Sequence, residues 1–317
     1  MKFLTALLMG AVALSTVNAV AQERVDEKME VPKGTEVFVD NERGSIEIMA
    51  SDDNVVHVTG TLDKRTEQFI FELRGSTLQV QVKTPEQNGW FDDDEGSKLT
   101  IYMPKSSHLD VKGVSMDVDA FDLQEGIEVN LVSGDVKVEN IGGGVEVSTV
   151  SGDIDARSIA GTVRLESVSG DISDKGSSAR VAHYQAVSGD ISVYADMMEE
   201  FYLQNVSGDV TAELPSLKKA NLKNVSGDIN LSLKLADSGE LKASSVSGDM
   251  AFTFSAIPNA SFDITTNAGG DIVNRISNDK PTESRWGTSS ELNFEVGTGS
   301  ARVGLTTVSG TVEIRRD

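Results

Sequence analysis

The stretch VSGDIDARSIAGTVRLESVSGDIS, residues 150–173, contains two copies of one four-residue motif. Complete copies of Val-Ser-Gly-Asp begin at Val132, Val150, Val168, Val187, Val206, Val225 and Val246. Related strings begin at Val114, Ala268 and Val308. From Asp117 to Asp271 the fourth positions are spaced by 18, 18, 18, 19, 19, 19, 21 and 22 residues. A period of about 20 residues predicts stacked structural repeats.

Within one repeat the residue pattern is that of short β-strands. Val136 and Val138 alternate with Lys137 and Glu139, which is the period-two pattern of a strand with one buried face. The alternation breaks between Ser167 and Val168 and again between Ala156 and Ile159, which predicts two corners in each repeat. A repeat this small cannot bury its own apolar face, so it must stack on its neighbours.

We therefore predict an all-β fold, a parallel β-solenoid (a single-stranded β-helix) with right-handed coiling and a strand-rich N-terminal cap region. Successive rungs are about 4.8 Å apart, and equivalent residues form columns. The motif valines are predicted to form one inward apolar column. A second inward column is Val136, Ile154, Ile172, Ile191, Val210, Ile229 and Met250. A third is Thr149, Ser167, Ala186, Asn205, Asn224, Ser245 and Thr307, in which the asparagines are predicted to form an amide ladder.

The Ser-Gly-Asp part of the motif is predicted to be a structural corner. Glycine permits positive φ or close approach of two rungs, and Ser and Asp hydrogen-bond nearby amides. The corner residues are Gly134, Asp135, Gly152, Asp153, Gly170, Asp171, Gly189, Asp190, Gly208, Asp209, Gly227, Asp228, Gly248 and Asp249. The alternative is a cation-binding column of carboxylates, but calcium-binding rolls repeat every nine residues. We expect no bound metal and no cofactor.

Four segments are predicted along the chain. Residues 1–21 form a signal peptide, because Lys2 precedes an apolar run that ends in small residues at Ala21. Residues 22–112 form an N-terminal β-strand region and cap, with strands at 35–40, 44–49, 54–59, 68–73, 77–83 and 98–103. Residues 113–273 form the solenoid, with one helical turn at 195–201. Residues 274–317 form a loop excursion and the C-terminal rungs.

A loop at residues 84–96 is the one candidate ligand site outside the repeats. It contains Trp90, Phe91, Asp92, Asp93 and Asp94. Acidic oxygens with two aromatic rings suit calcium or a sugar. The ligand spacing of an EF-hand is absent, so a solvated loop is the simpler interpretation.

Composition excludes several classes of function. With 28 Lys+Arg against 50 Asp+Glu, the formal net charge is -22, which excludes a nucleic-acid-binding surface. The absence of cysteine excludes disulfides, thiolate catalysis and cysteine-ligated zinc. His57, His108 and His183 have no metal-ligand spacing, and no known catalytic motif is present. We predict that the protein is not an enzyme. A polysaccharide-acting β-helix enzyme is the alternative, and it requires a groove with Arg or Lys beside carboxylates.

The motif copies, together with Gly297-Thr298-Gly299 and Thr306-Thr307-Val308-Ser309-Gly310, resemble the putative-adhesin domain-of-unknown-function family of bacterial β-strand-repeat envelope proteins. The resemblance covers most of residues 35–317 and implies no catalytic residues. It implies an exported, non-enzymatic envelope β-solenoid, adhesin-like or structural, which presents an elongated acidic surface to an envelope protein or a glycan. An accessory envelope-signalling module is a further alternative. The expected location is periplasmic, cell-surface or secreted, with no transmembrane segment in the mature chain.

Overall fold

The computed structural model describes residues 23–85, 96–284 and 288–317. The described part of the chain is all-β, without a helix, and its 25 strands form one continuous sheet. The predicted signal peptide and the loop residues Trp90 to Asp94 lie outside the described residues.

The strands of the N-terminal part are β1 (Arg24–Glu30), β2 (Glu36–Ser51), β3 (Val55–Thr61), β4 (Gln68–Arg74), β5 (Thr77–Lys83), β6 (Ser97–Pro104) and β7 (Leu109–Phe121). Those of the middle are β8 (Ile127–Ser133), β9 (Val136–Glu139), β10 (Val145–Ser151), β11 (Ile154–Arg157), β12 (Val163–Ser169), β13 (Ile172–Lys175), β14 (Ser178–Ser188), β15 (Ile191–Tyr194), β16 (Met197–Ser207), β17 (Val210–Ser226) and β18 (Ile229–Ser247). Those of the C-terminal part are β19 (Met250–Phe254), β20 (Ala260–Thr266), β21 (Ile272–Asn274), β22 (Thr282–Glu283), β23 (Ser290–Glu295), β24 (Ala301–Ser309) and β25 (Val312–Arg316).

In the middle of the molecule the strands pair in parallel at the period of the repeat. On one side of each rung Val145 pairs with Ile127 and Val163, and on the other Ile154 pairs with Val136 and Ile172. Equivalent positions of successive repeats are therefore in register, so the arrangement is β-solenoid-like.

The predicted second inward column is part of the core. Val136, Ile154, Ile172, Ile191, Val210, Ile229 and Met250 are each at most 1% exposed. Stacking identical branched side chains removes their apolar surface from water without any layer outside the solenoid. This column was therefore correctly predicted from the sequence.

The predicted inward column of motif valines is wrong. These valines, from Val132 to Val246, lie on the outside and are 40–51% exposed. The strand alternation continues one residue further than predicted: Val163, Leu165 and Ser167 are buried, and Val168 points outward. The parity changes at Gly170 instead, because its conformation turns the chain so that Ile172 points inward again.

The third column is buried as predicted, at 0–5% exposure from Thr149 to Thr307. Its asparagines, however, form their hydrogen bonds within their own rung. The side-chain nitrogen of Asn205 donates to the carbonyl of Gly208 at 2.8 Å, and that of Asn224 to the carbonyl of Gly227 at 2.7 Å. The amides therefore brace the corner of their own rung, and the predicted amide ladder is replaced by these bonds.

At the N-terminal end, one long strand spans two predicted strands. β2 pairs in parallel with β7 on one side and with β5 and β6 on the other. Beyond these, β4 is antiparallel to β5, β3 is antiparallel to β6, and β1 is antiparallel to β3. The rung that contains β2 is thus an inner rung, although β2 lies close to the start of the described chain.

The C-terminal end has the same design. β24 and β25 lie between the rung formed by β18 and β19 and the rung formed by β20 and β21. Beyond this, β23 is antiparallel to β20, and β22 is antiparallel to β23. The neighbour of Asp249 is therefore Thr311, and Asp271 belongs to the next rung outward. Reading Asp271 as the next member of the aspartate series was wrong.

One further local prediction is wrong. The helical turn predicted at residues 195–201 is replaced by strand from Met197 onward, because β16 pairs with β14 from its first residue. The handedness of the coil and the domain boundaries stay predictions.

Candidate functional site

The most distinctive surface is a line of exposed valines, here called the valine ladder. Its members are Val114, Val132, Val150, Val168, Val187, Val206, Val225, Val246 and Val308, and they are 40–52% exposed. One comes from each of nine consecutive rungs, so at about 4.8 Å per rung the ladder is about 38 Å long. Each valine is followed by a serine, which adds a parallel line of hydroxyls.

Strand formation alone does not require valine at these positions. Threonine has the same branched shape and a similar preference for strands, so it would fit the backbone equally well. A contiguous apolar patch on a protein that is otherwise so acidic is characteristic of a contact surface. The valine ladder is therefore the leading candidate for a binding surface.

The motif glycines hold the ladder in shape. From Gly134 to Gly248 they have φ between 109° and 150°. A Cβ atom on Gly170 would lie 2.1 Å from the backbone oxygen of Gly152 in the preceding rung. Both the positive φ and the close approach require glycine at this corner.

The motif aspartates form a second line, here called the aspartate ladder: Asp117, Asp135, Asp153, Asp171, Asp190, Asp209, Asp228 and Asp249. The Oδ1 atom of each accepts the backbone N–H of the next aspartate, at 2.7–3.0 Å. Asp249 accepts the N–H of Thr311 at 2.7 Å. The carboxylates thus satisfy amides at the corner, where the strand ladder is interrupted.

These bonds assign the aspartate ladder a structural role and leave an exposed acidic line three positions beyond the valine ladder. Among the described residues, no group of three or more His, Asp or Glu side chains is placed to hold a metal ion. Of the histidines, His57 contacts Asp26 on a neighbouring strand, at 2.7 Å between Nε2 and Oδ1.

The repeat register brings together residues that are far apart in the sequence. His108 and His183 line one groove, together with Arg164. Glu128, Glu146, Arg164, His183 and Tyr202 form one outward column, each four residues before a motif valine. Listing the fourth residue before each motif valine would have revealed this column in the sequence.

A family model matches residues 35–315 with this repeat architecture. The chain belongs to the Toastrack DUF4097 family. This confirms the resemblance to a domain-of-unknown-function family, and the Toastrack match spans the repeats and the strands from β2 to β24. A comparison with curated proteins finds no match. Within the described segments, no helix of this Toastrack chain has the length and apolarity needed to cross a membrane.

Three solved structures are similar to this Toastrack chain at low identity. A "putative lipid binding protein" from Parabacteroides distasonis has 12% identity and a TM-score of 0.43, covering 93% of this chain and 96% of that one. A "putative adhesin" from Bacteroides fragilis has 13% identity and a TM-score of 0.37, with coverage of 93% and 98%. A "putative cell adhesion protein" from Clostridium sporogenes has 9% identity and a TM-score of 0.26, with coverage of 93% and 100%.

Proposed function

We propose that this chain is an exported, non-enzymatic binding module of the cell envelope, which contacts a protein partner through the valine ladder. The observation that carries the proposal is the nine-rung line of exposed valines, at positions where threonine would suit a strand equally well. Export rests on the charged and apolar start of the sequence and on the small residues that end at Ala21.

Charge defines the partner further. The exposed aspartate ladder runs beside the valine ladder, and the whole chain has a formal net charge of -22. Two copies packed through their valine ladders would bring their aspartate ladders close together, and like charges across an interface are unfavourable. The complementary surface is a row of apolar side chains bordered by Lys or Arg.

Both ends of the solenoid carry antiparallel strands. We assign the antiparallel strands β1, β3 and β4 at one end, and β22 and β23 at the other, a capping role. They pair with the outer rungs, which would otherwise expose unpaired strand edges. We infer that the solenoid coils in the right-handed sense. Because its ends are capped, its long sides are the surfaces left for contact.

The test replaces the apolar surface without changing side-chain shape: Val168→Thr, Val187→Thr and Val206→Thr together. We expect unchanged circular dichroism and loss of photo-crosslinks to envelope protein from a probe placed at Ser188. The matched control changes the other strand of the same rungs, Ser173→Ala, Ser192→Ala and Thr211→Ala, and retains the crosslinks. Equal crosslinking of the threonine triple variant and the parent would refute the contact surface.

Export is tested separately. The protein recovered from outside the cytoplasm should begin at or near Gln22. Recovery of intact Met1 in that fraction would remove the export part of the proposal and leave the contact surface to be judged by its own experiment.

A further inference from the structure

A groove of about 460 Å³ runs across the rungs from His108 to His183, at the start of the strands that lead to the valine ladder. We call it the lateral groove. Its floor contains Gly126, Gly144 and Thr162, and one wall is the outward column Glu128, Glu146, Arg164 and His183. None of these residues belongs to the valine ladder.

The floor is open at Gly126 and Gly144, because neither residue has a side chain. A Cβ atom on Gly126 would lie 2.8 Å from the carbonyl oxygen of Gly144, and one on Gly144 would lie 2.8 Å from Oγ1 of Thr162. The backbone carbonyls of Gly126, Gly144 and Thr162 each accept one bond within the sheet. A carbonyl oxygen has two lone pairs, so each retains capacity for a second donor.

The wall combines acceptors and donors at the spacing of the rungs. The guanidinium of Arg164 lies 3.5 Å from Glu146, between Nε and Oε1, and also contacts Glu166. The side chain of Arg164 is 47% exposed, so its remaining N–H groups reach solvent. The wall carries two carboxylates, one guanidinium and one imidazole, so it offers both acceptors and donors to a hydrogen-bonding ligand, and no single sign of charge extends along its whole length.

One end of the groove is formed by the imidazole ring of His183. The imidazole of His183 stacks on Tyr202, with centroids 4.6 Å apart and planes 7° from parallel. Burial, followed by the nearby charge of Arg164, lowers the pKa of His183 and outweighs the opposing effects of Glu200 and Glu166. A neutral imidazole carries one donor and one acceptor, and the stacked pair fixes its orientation.

We propose that the lateral groove binds a chain of neutral sugars. Five rungs at about 4.8 Å give a length of about 19–24 Å, which suits an extended oligosaccharide rather than a single small molecule. Carboxylate, guanidinium, imidazole and carbonyl groups all hydrogen-bond to hydroxyls. Glu128 and Glu146 disfavour an anionic chain, and Arg164 disfavours a cationic one.

The experiment measures binding of chitohexaose and cellohexaose, both neutral, to the full chain by isothermal titration calorimetry. Hexagalacturonate and the chitosan hexamer are the anionic and cationic comparisons. We expect at least one neutral hexamer to bind, with affinity reduced at least tenfold in the Arg164→Gln, His183→Ala double variant. Thr162→Tyr fills the floor without removing a charge and should abolish binding.

The matched control is Arg157→Gln. Arg157 and Asp155 both lie in β11 and form an ion pair at 2.6 Å. This strand follows β10 in the same rung, and Arg157 lies outside the groove. This control and the threonine triple variant of the valine ladder should bind sugar like the parent, which separates this proposal from the proposed function. The proposal is overturned if neither neutral hexamer binds, if a charged hexamer binds more tightly than both, or if Arg157→Gln weakens binding as much as the groove variants.

Discussion

The middle and the ends of this solenoid are connected in different ways. In the middle, the amide of one motif aspartate bonds to the aspartate 18–21 residues earlier. At the ends, contacting residues are much further apart, 62 residues for Asp249 and Thr311 and 75 for Asn41 and Met116. The middle is thus built from near neighbours, whereas each end depends on the insertion of a distant segment.

The largest expected effect comes from deleting the inserted C-terminal rung, residues 297–317. Val303, Leu305, Val312 and Ile314 are at most 1% exposed, and their loss also leaves β20 and β21 without a parallel partner. We expect the free energy of unfolding to fall by more than about 5 kcal/mol, and we expect thermal unfolding to be no longer a single cooperative transition.

The comparison is an internal deletion of similar length, residues 151–168, which joins Val150 to Ser169 and restores the motif. One whole rung is removed and the remaining rungs keep their register, so cooperative melting with a Tm a few degrees lower is expected. If the internal deletion were as damaging as the C-terminal one, the distinction between middle and ends would fail.

The second effect concerns glycines in the two regions. Gly170→Val should cost at least about 3 kcal/mol, because φ is +150° and the Cβ atom would lie 2.1 Å from a backbone oxygen. In the inserted strand β24, a Cβ on Gly304 would meet only the side chain of Lys242, at 4.0 Å. Gly304→Val should therefore be close to neutral. Urea unfolding measures both, and equal costs would contradict the corner role of Gly170.

The third effect concerns stability and pH. The stability contributed by one aspartate should change with pH in opposite directions in the two regions. Near the N-terminal end, burial raises the pKa of Asp63, but hydrogen bonds from Arg43 and Arg65 outweigh it and lower the pKa to about 2. Arg43 Nε lies 2.5 Å from Asp63 Oδ2. The stability from this ionised carboxylate is present above pH 3.8 and is lost as pH falls from 3.8 to about 2.

In the middle, burial raises the pKa of Asp174 above 3.8, and hydrogen bonds from Ser177 and Tyr184 only partly oppose it. Tyr184 Oη lies 2.5 Å from Asp174 Oδ2. Here the folded state binds the proton more tightly than the unfolded state, so the contribution of Asp174 to stability rises as pH falls toward 3.8.

Thermal melts of Asp63→Asn and Asp174→Asn from pH 7 to pH 2.5 test both signs. The Tm deficit of Asp63→Asn relative to the parent should shrink below pH 3.8. The Tm of Asp174→Asn relative to the parent should fall between pH 7 and pH 4. Parallel Tm curves for either variant and the parent would contradict the corresponding assignment.

The smallest effect is expected in the aspartate ladder. Asp171→Asn with Asp190→Asn keeps an oxygen that accepts the next amide and removes repulsion between neighbouring carboxylates, so the Tm should change little. Asp171→Ala removes the acceptor and should cost about 1 kcal/mol. Melts in chelator and in millimolar calcium at matched ionic strength should coincide. A calcium-specific rise in Tm that disappears in the double asparagine variant would establish a metal site.

The sequence predicted the features that repeat locally. The period, the parallel stacking and the buried column from Val136 to Met250 follow from motif spacing and two-residue alternation. The apolar character of Val168 predicts an inward side chain, and this prediction is wrong, because Ser167 continues the alternation and is 3% exposed. The inserted rungs were not predictable in this way, since no periodicity links Thr311 to Asp249 across 62 residues.

The candidate sites, too, were predictable from the sequence only in part. The members of the valine ladder were identified from the motif, but their exposure required the structure. The lateral groove depends on close approach of Gly126 to Gly144, which spacing alone does not specify. The outward column through Arg164 and His183 was accessible from the repeat register.

The inserted C-terminal rung also sets the order in which the molecule is completed. A chain that emerges from a ribosome or a translocation channel with its N-terminus first can stack its rungs one after another up to β19. The segment from β20 to β23 then has no parallel partner until β24 and β25 have emerged and entered the gap. During that interval Phe262 and Ile264 lack their final neighbours, so this is the stage at which a chaperone or a protease would engage the nascent chain.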